Sequence, residues 1–134
     1  CDLVSVERSF FSGLVKFVSV TATEGELGIA SGHSPLLTSL PPGQLKIIDK
    51  HDKEHLFFVE GGYLEVQPSS VTILSDTALR ASELDMKKAL AAKAHAEKVL
   101  AKSPSAVNYA KASYELLEAV AKIHVIEAYK RYNS

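Results

Sequence analysis

Gly61-Gly62-Tyr63-Leu64-Glu65-Val66-Gln67-Pro68 decides the fold of the first part of this chain, and an earlier stretch, Gly25-Glu26-Leu27-Gly28-Ile29 running on to Gly32-His33-Ser34-Pro35-Leu36-Leu37, reads the same way. In both, glycines permit positive φ or close backbone approach beside apolar residues that alternate like a half-buried strand. Leu64 and Val66 then share one face, and Glu65 and Gln67 point toward solvent or a partner. Neither stretch carries a catalytic constellation, so the feature on offer is backbone shape, as in a docking surface.

Outward from these stretches, residues 2–76 give short β signals separated by turn residues, the pattern of a sandwich or small barrel. The clear runs are Leu3 to Val6, Gly13 to Thr21, Gln44 to Asp49, Leu56 to Glu60, Tyr63 to Gln67 and Val71 to Ser75. Val71 and Ile73 should share a face, with Thr72 opposite. Pro42-Gly43 suits the middle of a type II turn, and Asp49-Lys50-His51-Asp52-Lys53 and Pro68-Ser69-Ser70 read as hairpin connections. These signals predict an antiparallel β-sandwich.

The second part is built differently. All seven glycines precede residue 63, whereas residues 83–134 hold 12 of the 16 alanines and no glycine. Residues 1–82 carry 6 basic and 10 acidic side chains and residues 83–134 carry 9 and 6, so a near-neutral total hides a basic tail. At +3 over two helices the tail is too dilute to bind DNA by charge alone. No run approaches the roughly 18 apolar residues of a membrane helix, and no signal segment opens the chain. The single cysteine, Cys1, rules out an internal disulfide. It stands where an initiator Met is expected, so residues are expected to precede it.

Ser82 followed by Glu83, Leu84 and Asp85 predicts a helix N-cap with acid in the first turn, and that helix should run to about Lys102. Ser103-Pro104 should cap and open a second helix reaching about Tyr132. Ala89, Ala92, Ala96 and Val99 on the first helix, and Val107, Ala110, Tyr114, Leu117, Ala121, His124 and Ala128 on the second, recur at helical spacing and are expected to form the seam of an antiparallel hairpin. A seam so rich in alanine buries little area, which predicts a hairpin able to open. The expected class is α+β: an N-terminal antiparallel β-sandwich over residues 1–82, then an antiparallel two-helix hairpin over residues 83–134.

Catalytic chemistry has little support. No Gly-x-Ser-x-Gly elbow presents a serine, Cys1 has no motif partner, and no Gly-x-x-x-x-Gly-Lys-Ser/Thr segment cradles phosphate. His51 and His55 are four apart, a spacing that aligns metal ligands only on a helix, and are read as a solvated hairpin. His33 is open to two readings, a partner contact at a loop tip or a turn histidine bonded to backbone.

With these motifs at this separation, followed by an alanine-rich helical tail, the chain resembles the epsilon subunit of the bacterial F-type ATP synthase over nearly its whole length. That resemblance implies a non-catalytic subunit, peripheral on the cytoplasmic side of the bacterial inner membrane. Its sandwich would fasten the gamma subunit to the c-ring, coupling proton flow to rotation. Loops Glu26-Leu27-Gly28 and Ser31-Gly32-His33 would meet the rotor ring; Glu26 and His33 match the family pattern, whereas Ala30 and Ser31 replace an aromatic or long apolar residue and proline found in many members. The helices would restrain ATP hydrolysis by extending toward the alpha and beta subunits, with Lys122, Lys130 and Arg131 as inhibitory contacts and His124 where a relative has arginine. No cofactor is required. ATP is the one small ligand the resemblance admits: Leu84-Asp85-Met86-Lys87-Lys88-Ala89 stands where ATP-binding members carry Ile/Leu-Asp-x-x-Arg-Ala, making Asp85 and Lys88 candidates beside the reading as a capped helix start with solvated lysines. Lysine replaces a guanidinium there, exchanging a rigid fork for a point charge. A free-standing nucleotide sensor and an unrelated adaptor remain the alternative functions.

Overall fold

The computed structural model describes residues 1–4, 9–30, 32–102 and 105–132. One five-stranded sheet has the order β2(Ser9–Ser12), β1(Asp2–Val4), β9(Ser70–Ser75), β8(Gly62–Gln67), β5(Leu36–Leu40). The other has the order β10(Ala78–Arg80), β7(Glu54–Val59), β6(Gly43–Asp49), β3(Val15–Ala22), β4(Gly25–Ala30). Among the described strands the pairing is antiparallel except between β1 and β9, which run parallel. The strand-like reading of residues 25–29 and of Leu36-Leu37 holds in β4 and β5, although β2, β4, β5 and β10 lack the β-branched runs of the other strands. β4 holds two glycines, β5 follows a proline, and β10 is three residues long, so propensity is weak and pairing with a longer neighbour decides the conformation.

Alternation sets the core. Val18, Val20, Ile29, Leu45, Ile47, Phe57, Val59, Leu64, Val66 and Ile73 fill the space between the sheets. Leu64 and Val66 do share the inward face, and Glu65 and Gln67 lie outside. Strand β7 is an exception to one-sided burial: Phe57 and Val59 point into the sandwich, while Phe58 packs on the other face with Ala81, Ala121 and Val125. The continuous run Leu56-Phe57-Phe58-Val59 is that of a strand covered on both sides.

Glycines punctuate the sheets at two places, Gly61-Gly62 and Pro42-Gly43. Gly61 and Gly62 have φ of 106° and 144°, and a Cβ on Gly62 would lie 2.0 Å from the Leu74 carbonyl oxygen. The expected type II turn at Pro42-Gly43 does not form, since Gly43 lacks positive φ and opens β6. It is small for another reason: a Cβ there would lie 2.6 Å from Thr21 Cβ.

After β10, a 3-10 turn over Ala81–Glu83 leads into α1(Met86–Lys102), and α2(Ala106–Tyr132) follows. The cap of α1 is Asp85, not Ser82: its carboxylate accepts the Lys87 and Lys88 N–H groups at 2.9 and 3.4 Å. Ser82 is taken up by the 3-10 turn, where the Arg80 N–H donates to the Glu83 carboxylate at 3.3 Å. The proposed cap and start at Ser103 and Pro104 fall outside the described residues; Ser105 Oγ accepts the Asn108 N–H at 3.1 Å.

The expected seam of α2 is corrected. Ala110, Tyr114, Leu117 and His124 are exposed, while Ala112, Ala119 and Ile126, spaced by seven, are buried. Ala119 lines a groove with Ala89 and Ala92 of α1, and Ala112 and Ile126 share its face. The other stripe, which includes Ala121, turns toward the sandwich. Periodicity alone blurs a helix that serves two partners. On α1, Ala89 and Ala96 are buried and Ala92 is exposed.

Candidate functional site

Two surfaces at opposite ends of β8 hold some of the candidate residues, Gly32 and His33 at one and Lys122 at the other. Near Pro68, its carbonyl accepts the Gly32 N–H at 3.2 Å. Near Gly62, α2 reaches the sandwich. Six residues of extended chain set these ends roughly 17 Å apart.

Glu26, Leu27 and Gly28 lie on strand β4 rather than in a loop, opposite Thr21, Val20 and Ser19. Strand β4 reaches the Pro68 end only at Ala30, and Glu26 sits at the other end, where Thr21 meets Gly43 and Gln44, so the structure separates Glu26 from Gly32 and His33. Leu27 packs against the core and Ile29 is buried, which anchors the strand. The Phe17 ring covers Gly28, where a Cβ would sit 2.8 Å from Phe17 Cζ. The Glu26 carboxylate accepts a hydrogen bond from the buried Ser19 hydroxyl, so its orientation is fixed by its own sheet. Gly32 has φ of 80°, and the His33 N–H donates to the Ala30 carbonyl at 3.2 Å. His33 Nδ1 donates to the Ser34 carbonyl at 2.7 Å, which in the neutral ring leaves Nε2 as an acceptor. His33 therefore has the geometry of a backbone-bonded turn histidine. Ser31 falls outside the described residues.

From the Gly62 end onward, α2 meets the sandwich through a mixed apolar and polar contact. Phe58, 1% exposed, packs on Ala121 and Val125. Tyr114 Oη donates to the Glu60 carbonyl at 2.9 Å. Lys122 Nζ lies 5.3 Å from the Phe58 ring centroid and 3.4 Å from Glu118 Oε1. Three carboxylates gather here, because Glu60 adjoins Glu118 and Asp76 acts on the same Tyr114 phenol. Burial, then the Glu118 charge, pushes the Glu60 carboxyl above its ordinary value of 4.5. Burial, then Glu60, raises the Tyr114 phenol above 10.0.

Of the three basic candidates, Lys122 is thus held against the sandwich, whereas Lys130 and Arg131 sit exposed in the last turn of α2, where positive charge complements the helix dipole. Asp85 and Lys88 both border a groove of about 420 Å³ between α1 and α2. Its charged lining is Glu83, Asp85, Glu115 and Glu118 against Lys88 and Lys122, with His95 beside them. Four acids against two lysines do not suit a triphosphate, and the Asp85 carboxylate is already engaged by helix N–H groups.

The hairpin histidines separate. His51 is exposed, but His55 is half-buried on β7, with Nε2 2.9 Å from Asp49 Oδ2 and its ring 5.0 Å from that of Phe11. His55 is therefore not a solvated loop residue. Asp49 also accepts the His51 and Lys53 N–H groups at 2.8 and 3.0 Å. The His55 bond, reinforced by these two and opposed by desolvation, lowers the Asp49 carboxyl to about 2.

Sequence reasoning did not find the Glu60, Tyr114, Glu118 and Lys122 cluster. The i,i+4 spacing of Glu118 and Lys122 was visible, but Glu60 enters only through the backbone turn at Gly61 and Gly62.

In fold, the chain is similar to a chain of the Euglena gracilis mitochondrial ATP synthase OSCP/F1/c-ring structure in rotational state 1, with TM-score 0.82 and 22% identity over 90% of this chain and 76% of that one. It is also similar to a chain of the Tetrahymena thermophila mitochondrial ATP synthase central stalk/c-ring structure, with TM-score 0.63 and 18% identity over 93% of each. Residues 1–81 match the family "ATP synthase, Delta/Epsilon chain, beta-sandwich domain" and residues 82–127 match "ATP synthase, Delta/Epsilon chain, long alpha-helix domain". With both matches consecutive and together spanning nearly the whole chain, this protein belongs to the ATP synthase delta/epsilon chain family.

Proposed function

We propose that the chain is a non-catalytic central-stalk subunit of a rotary ATP synthase, whose sandwich ties the gamma subunit to the c-ring and whose helices restrain ATP hydrolysis. The observation that carries this reading is the division of the molecule into a β-sandwich and a helical arm laid on one of its sheets through an apolar patch. That patch is centred on Phe58, Ala121 and Val125. Family membership supports the stalk role, and the turn at Gly32 and His33, bonded through its backbone to Pro68 and to Ala30 at the end of β4, offers an ordered rim to the c-ring.

The gamma shaft is assigned to the outer face of the sheet that α2 does not cover. Leu37, Tyr63 and Leu74 are 71%, 58% and 42% exposed there, with Tyr63 directly opposite Leu74. In the extended state Lys130 and Arg131, followed by Lys122 once it leaves Phe58, would meet acidic segments of the alpha and beta subunits. The proposed place is peripheral, on the cytoplasmic side of a bacterial plasma membrane; no helix among the described residues is long and apolar enough to cross a membrane. The test is capture of purified gamma by the full chain and by the Leu37→Asp, Tyr63→Asp double variant. Retained capture by wild type and loss in the variant supports the assignment; equal capture removes this face from the interface, and no capture by either removes the stalk reading.

A further inference from the structure

Strand β7 is flanked on both sides for only part of its length. Strand β6 runs beside all of it, from Gly43 opposite Val59 to Ile48 opposite Glu54. Strand β10 covers the other side at Val59, Phe58 and Phe57, and the chain then leaves the sheet for the 3-10 turn that begins at Ala81. Among the described strands none continues that line past residues 54–56, so this stretch presents a row of backbone groups with no strand against it. Beside it lies a cavity of about 540 Å³, bordered by residues 53–56, by Arg80 and Ser82, and by Tyr129 of α2.

The two cations at this cavity are not neutralised within the chain. Among the described residues neither Lys53 nor Arg80 forms an ion pair. The Arg80 guanidinium carbon stands 4.9 Å from the Phe57 ring centroid, a stacking contact that orients the planar group without using its N–H donors. His55 is committed elsewhere, with Nε2 2.9 Å from Asp49 Oδ2. Glu54 also borders the cavity, but alternation along β7 puts it on the opposite face from His55.

Strand geometry sets where these charges would meet an incoming chain. Arg80 lies directly opposite Phe57, so the two side chains share a face, and His55 is on that face too. In a segment continuing the line of β10, the residue opposite His55 stands two positions along from Arg80, on the same face and roughly 7 Å away. Arg80 flanks that residue on one side, and Lys53, the residue before β7, on the other. A carboxylate there meets both cations, whereas a positive side chain is repelled by both.

We propose that the bare edge of β7 is a docking site for an extended acidic segment of a partner protein, which adds a strand beside residues 54–56 and sets a carboxylate between Lys53 and Arg80. Backbone pairing selects the extended form, and the two cations select the acidic side chain. A second copy of this chain does not meet these terms, since joining two such edges brings Lys53 and Arg80 of one protomer toward the same cations of the other. The proposal goes beyond the stalk reading and does not depend on it.

The test uses the full chain with an acetylated, dye-labelled heptapeptide alternating threonine with glutamate, followed by fluorescence anisotropy and amide hydrogen exchange. The expected result is binding of this peptide with slowed exchange within residues 54–56, and no binding of the same peptide with lysine in place of glutamate. Arg80→Gln and Lys53→Gln, both at exposed positions, should each weaken binding by about tenfold. Lys93→Gln, on α1 and outside the cavity, should leave it unchanged. If one cavity variant fails to fold, the other decides alone. No binding, equal binding of the lysine peptide, or full affinity in both cavity variants overturns the proposal. So does inorganic phosphate shifting the Arg80 side-chain N–H resonance while the peptide leaves residues 54–56 unprotected, which would reduce the site to a small-anion pocket. Protection that grows with protein concentration in the absence of peptide would assign the edge to a second copy and overturn it as well. Because no stalk subunit is present, failure here leaves the gamma-capture result standing, and failure of gamma capture leaves this one standing.

Discussion

Tyr114 and Glu60, 54 residues apart, are joined by a 2.9 Å hydrogen bond from the phenol of α2 to the last carbonyl before the double-glycine turn. The bond ties the direction of the helical arm to the backbone of the sandwich, since Gly61 and Gly62 hold that carbonyl in place. Tyr114→Phe removes the donor and keeps the ring. The expected result is a loss of about 1 kcal/mol in docking, a roughly fivefold shift toward open chains read from Phe58–Val125 cross-peaks in NMR, with the sandwich spectrum unchanged. An unchanged docked population would show the bond to be incidental.

Phe58 is the largest apolar group shared between sandwich and arm, packed with Ala81, Ala121 and Val125. Phe58→Ala should cost about 3 kcal/mol, measured by urea unfolding, and should abolish the contacts of Val125 with the sheet. A cost below about 1 kcal/mol would mean that α2 leaves the sandwich readily in wild type as well.

The β6–β7 hairpin carries an acid-sensitive element. Asp49 is lowered from 3.8 to about 2, first by the His55 bond and then by the Lys53 and His51 N–H groups, against an opposing desolvation. A depressed carboxyl stabilises the fold above its unfolded value and loses that contribution as pH falls through the folded one. Wild type should therefore be more stable than Asp49→Asn above about pH 4, and the difference should shrink toward pH 2 in acid-unfolding curves. A gap that stays constant over that window would assign the effect to packing around Phe11 and His55 instead.

How far the molecule could be read from its sequence depended on whether one partner or two shaped each segment. Leu64 and Val66 face one core and alternate cleanly, so β8 was legible residue by residue. In β4 the alternation of Leu27 and Ile29 was legible too, but the loop that the family resemblance implies at Glu26-Leu27-Gly28 is strand, ordered by pairing with β3. On α2 the expected stripe through Tyr114, Leu117 and Ala121 turned out to be the side toward the sandwich, while Ala112, Ala119 and Ile126 are the positions buried on the side toward α1. Two overlapping apolar faces leave no single 3.6-residue rhythm to follow. The same limit hid Glu60, whose importance comes from a turn that brings it under a helix far along the chain.

The residues that the resemblance assigns to the rotor ring show a similar division. Gly32 and His33 were legible as a turn from glycine and the following Ser34-Pro35, and the structure gives the turn its bonds to Pro68 and Ala30. The bond from Ser19 to Glu26 was not legible, since it depends on the register of β3 against β4.

The central claim, a stalk-coupling sandwich with a separable restraining arm, is tested most directly by ATP hydrolysis of the assembled complex containing either the full chain or a chain ending at Ser82. The account predicts that the shortened chain still binds gamma and the c-ring and that hydrolysis rises. Loss of binding by the shortened chain, or an unchanged rate with binding intact, would contradict it.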